Sequence, residues 1–421
     1  WLPAYPARFR MKLANQIRTV SIALFICFAA TNASAQVSYE RILNSADEPE
    51  NWLTYNGGYK SQRYSQLDQI TPENVTDLKL QWTLQNQVFG AWQSNPIVVD
   101  GIMYVTERPN TVMAVDAITG RVFWKYRHVP AENALICCGA NNRGVAVLDD
   151  KVFMGTLDAR LVAIDRVTGS ALWDVEVGDV DLAYSVTMAP LVVKDKVIVG
   201  VGGGEFGIRG YVAAYDAQTG EEAWKTYTIP GPGEPNHDSW EGDDWQHGGA
   251  PVWITGSFDP ELNLTYWGVG NPGPDWNAGQ RPGDNLYSDS VIALDADTGE
   301  LKWHFQFTPN DAYDYDAVQV PVLADIVWRG TPSKIMMWAN RNGYFYVLDR
   351  VTGEFLEGKP YVTVNWSSGL DANGRPIPTP QPEGMPTFPG NQGGTNWYPP
   401  SFSPRTGLFY FSAWQDYATI Y

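Results

Sequence analysis

The hydrophobic and polar positions of the chain repeat in a unit of roughly fifty residues. Five times, a hydrophobic run is followed by Asp-x-x-Thr-Gly and then by a second run that usually contains Trp. In such a turn the Asp and Thr side chains bond to nearby backbone groups, and Gly takes the positive φ of a tight hairpin. The pattern predicts hairpins whose Trp packs on a neighbouring unit. The first residues of the five turns are Asp116, Asp165, Asp216, Asp295 and Asp349.

The spacing of the repeats predicts an all-β fold of the β-propeller type. Successive turns are separated by 49, 51, 79 and 54 residues, which is about one four-stranded blade each, and the long interval predicts an insertion. Regular blades without helical periodicity are typical of a propeller, and a β-sandwich with chance repeats is the alternative. Residues 36–421 hold about six to seven blades at this spacing. We therefore expect an eight-bladed type of ring that is truncated at its C-terminus.

The first 35 residues have the pattern of an export signal. Residues 1–10 precede Met11 and are interpreted as translated upstream sequence, which is not native. Residues 11–35 contain a short basic segment, an apolar core of about a dozen residues and Ala33-Ser34-Ala35, as in a secretory signal peptide. No later run approaches the roughly 20 apolar residues of a transmembrane helix. We expect a periplasmic protein that begins at Gln36 and has no transmembrane segment.

The charge of the chain narrows the classes of partner. The formal net charge is −18, and only four His residues occur. Nucleic acids and anionic lipids need basic surface, so the charge disfavours both as partners. Solubility explains the acidic balance, and a basic partner protein would also suit it.

Two adjacent cysteines raise a question about their use. Without the signal peptide, which contains Cys27, the chain keeps only Cys137 and Cys138. Disulfides persist in an oxidising compartment. Adjacent Cα atoms lie about 3.8 Å apart, which is less than in ordinary disulfides, so a bond between them would form a strained ring. The adjacency of the cysteines does not decide between a disulfide ring and two buried thiols that do not pair.

The repeats and the paired cysteines together resemble the pyrroloquinoline quinone (PQQ) alcohol dehydrogenases, which are eight-bladed periplasmic quinoproteins. The resemblance extends over residues 40 to 421. It implies an enzyme that oxidises an alcohol to an aldehyde by hydride transfer to metal-activated PQQ. It also implies a soluble cytochrome c as electron acceptor, because the chain has no Cys-x-x-Cys-His motif for covalent haem. A haem domain fused beyond residue 421 is the alternative.

The resemblance implies a set of cofactor contacts. In the family the disulfide of the adjacent cysteines lies against one face of the quinone and a Trp, here Trp253, against the other. Trp253 as an ordinary packing residue is the alternative. Gln93 stands where the family often has Glu, so a charged contact becomes a neutral amide. The further implied contacts are Asn141, Arg143, Thr187, Gly202, Gly203, Gly204, Arg341, Asn396 and Trp397.

The resemblance also implies the metal ligands and the catalytic groups. Glu205, Asn271 and Asp314 match the oxygen ligands of a hard cation. Asp314 matches the base that takes the hydroxyl proton of the alcohol. Arg341 matches the cation that hydrogen-bonds the quinone oxygens and stabilises charge there.

One further carboxylate bears on the identity of the ion. Asp316 follows Asp314 at i+2, and an extended backbone would point both side chains to one side, toward one ion. Calcium-using relatives typically have a small or hydroxyl residue there, whereas lanthanide-using relatives have Asp. We therefore expect Asp316 to be a metal ligand and the ion to be a lanthanide(III), with Ca²⁺ as the alternative.

Two other readings compete with an active enzyme. A non-catalytic propeller of the outer-membrane assembly type shares the repeat but lacks the cysteine pair and the set of charged residues. An inactive quinoprotein fragment is the third reading, because a ring that lacks blades exposes sheet edges.

Overall fold

The computed structural model describes residues 36–421 of the chain. The upstream residues 1–10 and the predicted signal peptide at 11–35 lie outside the described residues. Within 36–421, five sheets have four antiparallel strands each, and in every one the strands follow one another in chain order. The all-β propeller fold that the repeats predict is confirmed.

The five complete blades follow the chain from residue 97 to residue 360. Blade 1 has β1 (Ile97–Val99), β2 (Ile102–Glu107), β3 (Thr111–Asp116) and β4 (Val122–Arg127), and blade 2 has β5 (Ala146–Leu148), β6 (Lys151–Gly155), β7 (Arg160–Asp165) and β8 (Ala171–Glu176). Blade 3 has β9 (Leu191–Val193), β10 (Lys196–Gly200), β11 (Tyr211–Asp216) and β12 (Glu222–Tyr227). Blade 4 has β13 (Ser257–Asp259), β14 (Leu264–Gly268), β15 (Ser290–Asp295) and β16 (Leu301–Gln306), and blade 5 has β17 (Val322–Trp328), β18 (Thr331–Ala339), β19 (Tyr344–Asp349) and β20 (Phe355–Pro360).

Outside the five blades the described chain forms shorter elements. Six strands make three two-stranded sheets: β21 (Ser367–Leu370) with β22 (Pro376–Pro378), β23 (Pro386–Thr387) with β26 (Thr419–Ile420), and β24 (Ser401–Ser403) with β25 (Leu408–Tyr410). One α-helix, α1, spans Tyr39–Leu43. Single 3₁₀ turns lie at Ser45–Asp47, Val75–Asp77, Val180–Leu182, Gly204–Phe206, His237–Ser239, Asp244–Gln246 and Ala278–Gln280.

The number of complete blades is smaller than the spacing predicts. Residues 36–421 complete five four-stranded sheets, whereas the predicted six to seven blades also include incomplete ones. The shortfall arises because spacing alone counts every residue as part of a blade. Residues 81–88 alternate between exposed and half-buried positions as a strand does, yet they pair with no strand among the described residues. Trp82 in this segment donates from Nε1 to the carbonyl of Ala117, so it docks on blade 1.

The Asp-x-x-Thr-Gly turns join the third and fourth strands of each blade and carry the contact between blades. In blade 2, Asp165 accepts bonds from the backbone N–H groups of Val167 and Thr168. Trp124 of blade 1 donates to the carbonyl of Arg166 at 3.0 Å. Gly169 has φ +73°, and a Cβ there would lie 2.6 Å from the Trp124 indole, so only Gly allows this contact. The predicted packing of each Trp on its neighbour is confirmed.

The direction of the strands decides which loops meet. The strands are antiparallel, so successive loops alternate between the two ends of a blade. The Asp-x-x-Thr-Gly turns lie at one end. The loops that join the second strand to the third, and the loops that join one blade to the next, lie at the other end. The predicted insertion between Asp216 and Asp295 lies mainly in two such loops, at 228–256 and 269–289. No helix of the described residues has the length and apolarity that crossing a membrane requires.

Candidate functional site

A cavity of about 290 Å³ lies among the loops at this end of the blades. Most of the side chains that the sequence singles out meet there. Its lining includes the predicted residues Cys137, Cys138, Asn141, Arg143, Thr187, Gly202, Gly203, Glu205, Trp253, Asp314, Asp316, Arg341, Asn396 and Trp397, together with Gln93.

The cysteines lie on the loop between β4 and β5 and form a disulfide with each other. Cys138 has φ +63°, and the side chain of Asn141 donates to its carbonyl at 3.0 Å. Arg108 holds the same loop through a bond from Nε to the carbonyl of Ala140. Of the two alternatives that adjacency leaves open, the structure has the bonded pair.

Glu205 lies beside the disulfide. Its carboxylate and the two sulfur atoms lie within 4.8 Å of one another. The bonded sulfurs offer no thiolate, so this group is not itself a metal site. Glu205 faces the open cavity, yet surrounding protein atoms raise its pKa to about 7, and the nearby charges of Asp316 and Asp275 add to the effect.

Arg341 joins the two predicted aspartates of the lining. Its Nη2 donates to Asp314 Oδ2 at 3.0 Å, and its Nη1 donates to Asp316 Oδ2 at 2.6 Å. Nε and Nη2 both bond to the carbonyl of Asn391. A guanidinium has five N–H donors, so these four bonds leave one N–H of Nη1 for a ligand.

Asp314 does not have the extended backbone that the i+2 argument assumed. Its φ is +62°, in the left-handed region. That premise is therefore wrong, because the chain turns sharply there, although Arg341 still brings Asp314 and Asp316 together. Burial raises the pKa of Asp314 well above its usual range, while the charge of Arg341 acts to lower it.

Asp316 is held by three neighbours. Besides Arg341, its Oδ1 accepts a bond from Trp253 Nε1 at 3.3 Å and from the backbone N–H of Asn271 at 2.9 Å. Only 6% of Asp316 is exposed. Among residues 36–421, the oxygens of Glu205, Asp314 and Asp316 do not form a cluster within 4.8 Å. They border one cavity without closing on a single point.

Arg143 brings three parts of the lining together. Its guanidinium carbon lies 4.7 Å from the ring centre of Trp253 and 5.5 Å from that of Trp397. Its Nη1 donates to Thr187 Oγ1 at 2.8 Å. Burial lowers the pKa of Arg143 to about 10, so it remains a cation near neutral pH.

Two predicted residues do not line the cavity. Gly204 is buried, and a Cβ there would meet Pro251 at 2.9 Å, so packing against Pro251 accounts for the glycine. Asn271 is 3% exposed and is joined to the lining through its backbone N–H, which donates to Asp316.

The lining also includes residues that the sequence reasoning missed. Ser185 precedes Thr187 by two positions, and this alternation could have identified it, because residues i and i+2 of an extended segment face one side. No comparable signal marks the others. The missed residues are Gly139, Ser185, Pro251 and Gln392.

The residues of the lining fit a planar polar molecule and a hard cation. Three buried polar atoms of the lining have no hydrogen-bond partner among the described residues, namely Gln93 Oε1, Asn141 Oδ1 and Arg143 Nε. A buried polar atom without a hydrogen bond destabilises the folded protein, and a ligand that bonds to it removes this penalty. The acidic groups are oxygen donors of the kind that hard cations bind, and their mutual repulsion would be relieved by an ion.

Comparison with known proteins decides the family. Residues 52–365 match the profile of the PQQ glucose/ethanol/alcohol dehydrogenase β-propeller domain. The chain belongs to this family.

Relatives with close similarity carry names of alcohol-oxidising quinoproteins. The chain is 43% identical to the quinohemoprotein alcohol dehydrogenase ADH-IIG of Pseudomonas putida, over 94% of this chain and 59% of that protein. It is 40% identical to the lanthanide-dependent methanol dehydrogenase of Methylacidiphilum fumariolicum, over 88% of this chain and 66% of that protein. A solved europium-containing methanol dehydrogenase superposes with a TM-score of 0.84 at 38% identity, covering 89% of this chain and 70% of that structure. The chain thus spans about 59% of the length of the first of these relatives.

Proposed function

We propose that the chain oxidises alcohols to aldehydes with PQQ and a metal ion held in the cavity. The observation that carries the proposal is that the disulfide, three acidic side chains and a buried arginine border one cavity. Family membership supports the same function. The unpartnered polar atoms of Gln93, Asn141 and Arg143 would bond to the polar edge of the cofactor. Glu205, Asn271, Asp314 and Asp316 would hold the ion.

The bound groups would supply a hydride acceptor, the quinone, made more electrophilic by the cation. The protein would manage the proton. Asp314 takes it from the alcohol hydroxyl as the carbinol carbon loses its hydride. A nearby cation favours the ionised form of Asp314 and so counteracts the burial that raises its pKa. Arg341 holds the Asp314 carboxylate in place at 3.0 Å and keeps one N–H for the ligand.

The ion that we propose is a lanthanide(III). Asp316 adds a third carboxylate to Glu205 and Asp314. The Coulomb attraction to each carboxylate is stronger for a trivalent ion than for a divalent ion. A relative that is 40% identical is named a lanthanide-dependent enzyme, which supports the proposal. Ca²⁺ is the alternative ion.

The substrates that we propose are primary alcohols of two or more carbons. Methanol-oxidising members of the family have a second Trp shortly after the one that covers the cofactor, whereas this chain has Thr255. Thr255 is buried and donates to the carbonyl of Ala189 at 2.7 Å. A smaller residue there leaves more room near Trp253, so a higher catalytic efficiency with methanol than with ethanol or butanol would count against this choice.

We also propose that the protein acts in the periplasm and passes its electrons to a soluble cytochrome c. The signal-like residues 11–35 support export. Expression of residues 11–421 in a Gram-negative host, followed by fractionation and mass measurement, tests this. The proposal requires a periplasmic product that begins at Gln36.

Reconstitution tests the catalytic proposal. The purified protein is mixed with PQQ and with either La³⁺ or Ca²⁺, and dye reduction is followed with an alcohol series. Asp314→Asn keeps the shape of the side chain but removes the base, so turnover should fall by about 10² to 10⁴. Asp244→Asn, which changes an exposed acid, is the control. Absence of PQQ binding and of dye reduction would support the inactive-fragment reading instead.

A further inference from the structure

Asp275 lies next to the predicted metal ligand Asn271 and is not itself one of the predicted ligands. It is half-buried in the loop that follows β14, four residues after Asn271. The Nδ2 of Asn271 donates to Asp275 Oδ1 at 2.9 Å. Among the described residues, no basic side chain forms an ion pair with Asp275. Its carboxylate therefore lies beside the site without a direct salt bridge, although the charges of Arg281 and Arg341 act on it.

The bond to Asp275 fixes the orientation of the Asn271 amide. Nδ2 faces two acceptors, the Asp275 carboxylate and the carbonyl of Pro272 at 3.4 Å. The backbone of Asn271 is also fixed, because its N–H donates to Asp316 and its carbonyl accepts from Ala250. With Nδ2 bonded on one side, Oδ1 faces the other way and accepts no bond from the residues described. An amide held like this keeps its oxygen free to bind an ion, and amide oxygens are ligands of hard cations.

The loop that carries Asp275 is tied to the loop that carries the base. Arg281 is 1% exposed and donates to the carbonyls of Pro274 at 3.3 Å and Asp275 at 3.4 Å. The same guanidinium donates to the carbonyl of Asp311, three residues before Asp314. The distance between Asp275 and the aspartates is therefore set by a buried contact.

We propose that Asp275 is a positioning residue for the metal ion, which turns Asn271 Oδ1 toward the ion and adds a fourth negative charge to the site. The inference rests on the proposed function, because it requires an ion at Glu205, Asn271, Asp314 and Asp316. Mutation of a partner that orients a metal ligand typically weakens metal binding by about 10- to 100-fold. The added charge favours a trivalent over a divalent ion, since the Coulomb energy is proportional to the charge of the ion.

Two substitutions separate orientation from charge. Asp275→Asn can still accept the bond from Asn271 but has no charge, whereas Asp275→Ala has neither. The exposed Asp244→Asn changes the net charge equally and serves as the matched control. Thermal unfolding followed by circular dichroism checks that each variant folds.

Metal affinity is measured directly, without turnover. The protein with PQQ is titrated with Tb³⁺, whose luminescence is sensitised by tryptophan, and Ca²⁺ affinity is obtained by competition. For Asp275→Ala we expect Tb³⁺ to bind about 10- to 100-fold more weakly. For Asp275→Asn we expect about a tenfold loss for Tb³⁺ and about a fivefold loss for Ca²⁺, in proportion to the ion charge. Asp244→Asn should bind both ions as the unmutated protein does.

The outcomes distinguish the two proposals. Binding of both ions by Asp275→Ala within twofold of the unmutated protein would overturn the role of Asp275. Equal losses in Asp275→Asn and Asp275→Ala, the same for both ions, would also overturn it, because they would indicate only a damaged loop. An unmutated protein that binds neither ion would overturn the proposed function and, with it, this inference.

Discussion

At the scale of single residues, Asp316 has the most connected position in the site. It bonds to Arg341, to the Trp253 indole and to the backbone of Asn271, so three loops meet at one carboxylate. Arg341 is itself 3% exposed and is bonded to Asp314 as well. Asp316 therefore offsets the charge of a buried arginine, and its loss would leave that arginine free to repel a cation.

Asp316→Ala should shift the ion preference toward calcium. Removal of one carboxylate takes away more Coulomb attraction from a trivalent ion than from a divalent ion. The ratio of La³⁺ to Ca²⁺ affinity should therefore fall by about tenfold or more. Competition titrations with the purified protein and PQQ measure this ratio. An unchanged ratio, or equal or greater activity with Ca²⁺ in the unmutated protein, would contradict the lanthanide assignment.

The disulfide gives a second prediction at this scale. Cys137→Ala combined with Cys138→Ala should leave the propeller folded, because the pair lies in a loop outside the strands. A rigid surface against the cofactor would be lost, and PQQ affinity should fall by about tenfold, or about 1.4 kcal/mol. Fluorescence titration with PQQ measures the change. The same affinity and turnover in the double variant would exclude a cofactor role for the disulfide.

At the scale of elements, the loop between β4 and β5 depends on an anchor in blade 2. The Asp158 carboxylate accepts bonds from the His128 imidazole at 3.0 Å, from Thr156 Oγ1 and from the backbone N–H of Ala131. Ala131 lies six residues before Cys137, so the anchor holds the start of the disulfide loop. Burial acts to raise the pKa of Asp158, but these bonds outweigh it and hold the pKa at about 2.

Asp158→Ala should destabilise the protein in a pH-dependent way. Because the pKa in the folded state lies below the ordinary value of 3.8, ionised Asp158 stabilises the fold above about pH 4. The contribution, about 2 kcal/mol, is lost as the pH falls toward 2. Urea unfolding at pH 7 and at pH 3 measures the free energy of unfolding. The loss of this free energy in Asp158→Ala, relative to the unmutated protein, should be smaller at pH 3 than at pH 7. Asp150→Ala, which removes an exposed carboxylate, is the control and should change the free energy of unfolding by less than about 0.5 kcal/mol. A destabilisation by Asp158→Ala that is the same at both pH values would contradict the prediction.

At the scale of the whole molecule, the sequence was informative where local chemistry repeats. The Asp-x-x-Thr-Gly turns fixed the strands on either side of them, since the turn and the docking Trp are encoded within about ten residues. The spacing could not show which blades are complete, because strand pairing at 81–88 depends on contacts that are distant in the chain. The sharp turn at Asp314 was missed for a related reason, because Arg341, 27 residues away, holds that side chain. Asp275 carries no motif and became visible only through its bond to Asn271.

The net charge of −18 leads to a prediction about electron transfer. If a basic cytochrome c accepts the electrons, its reduction rate should fall as ionic strength rises, since salt screens the attraction over about 10 Å at 0.1 M. Stopped-flow mixing of the reduced protein with such a cytochrome at 20 mM and 200 mM salt measures this. A neutral dye is the control acceptor, whose rate should stay constant. Equal salt responses of the dye and the cytochrome would exclude electrostatic docking.

The placement of the cavity among the loops of all the complete blades bears on the motions of the protein. Gln93 precedes blade 1, and Cys137 lies between blades 1 and 2. Thr187 lies between blades 2 and 3, Trp253 precedes blade 4, and Arg341 lies within blade 5. A molecule seated there touches every blade, so its departure weakens all of them together. Amide hydrogen exchange would then slow throughout the ring on binding, and the propeller would open and close as one cooperative unit rather than blade by blade.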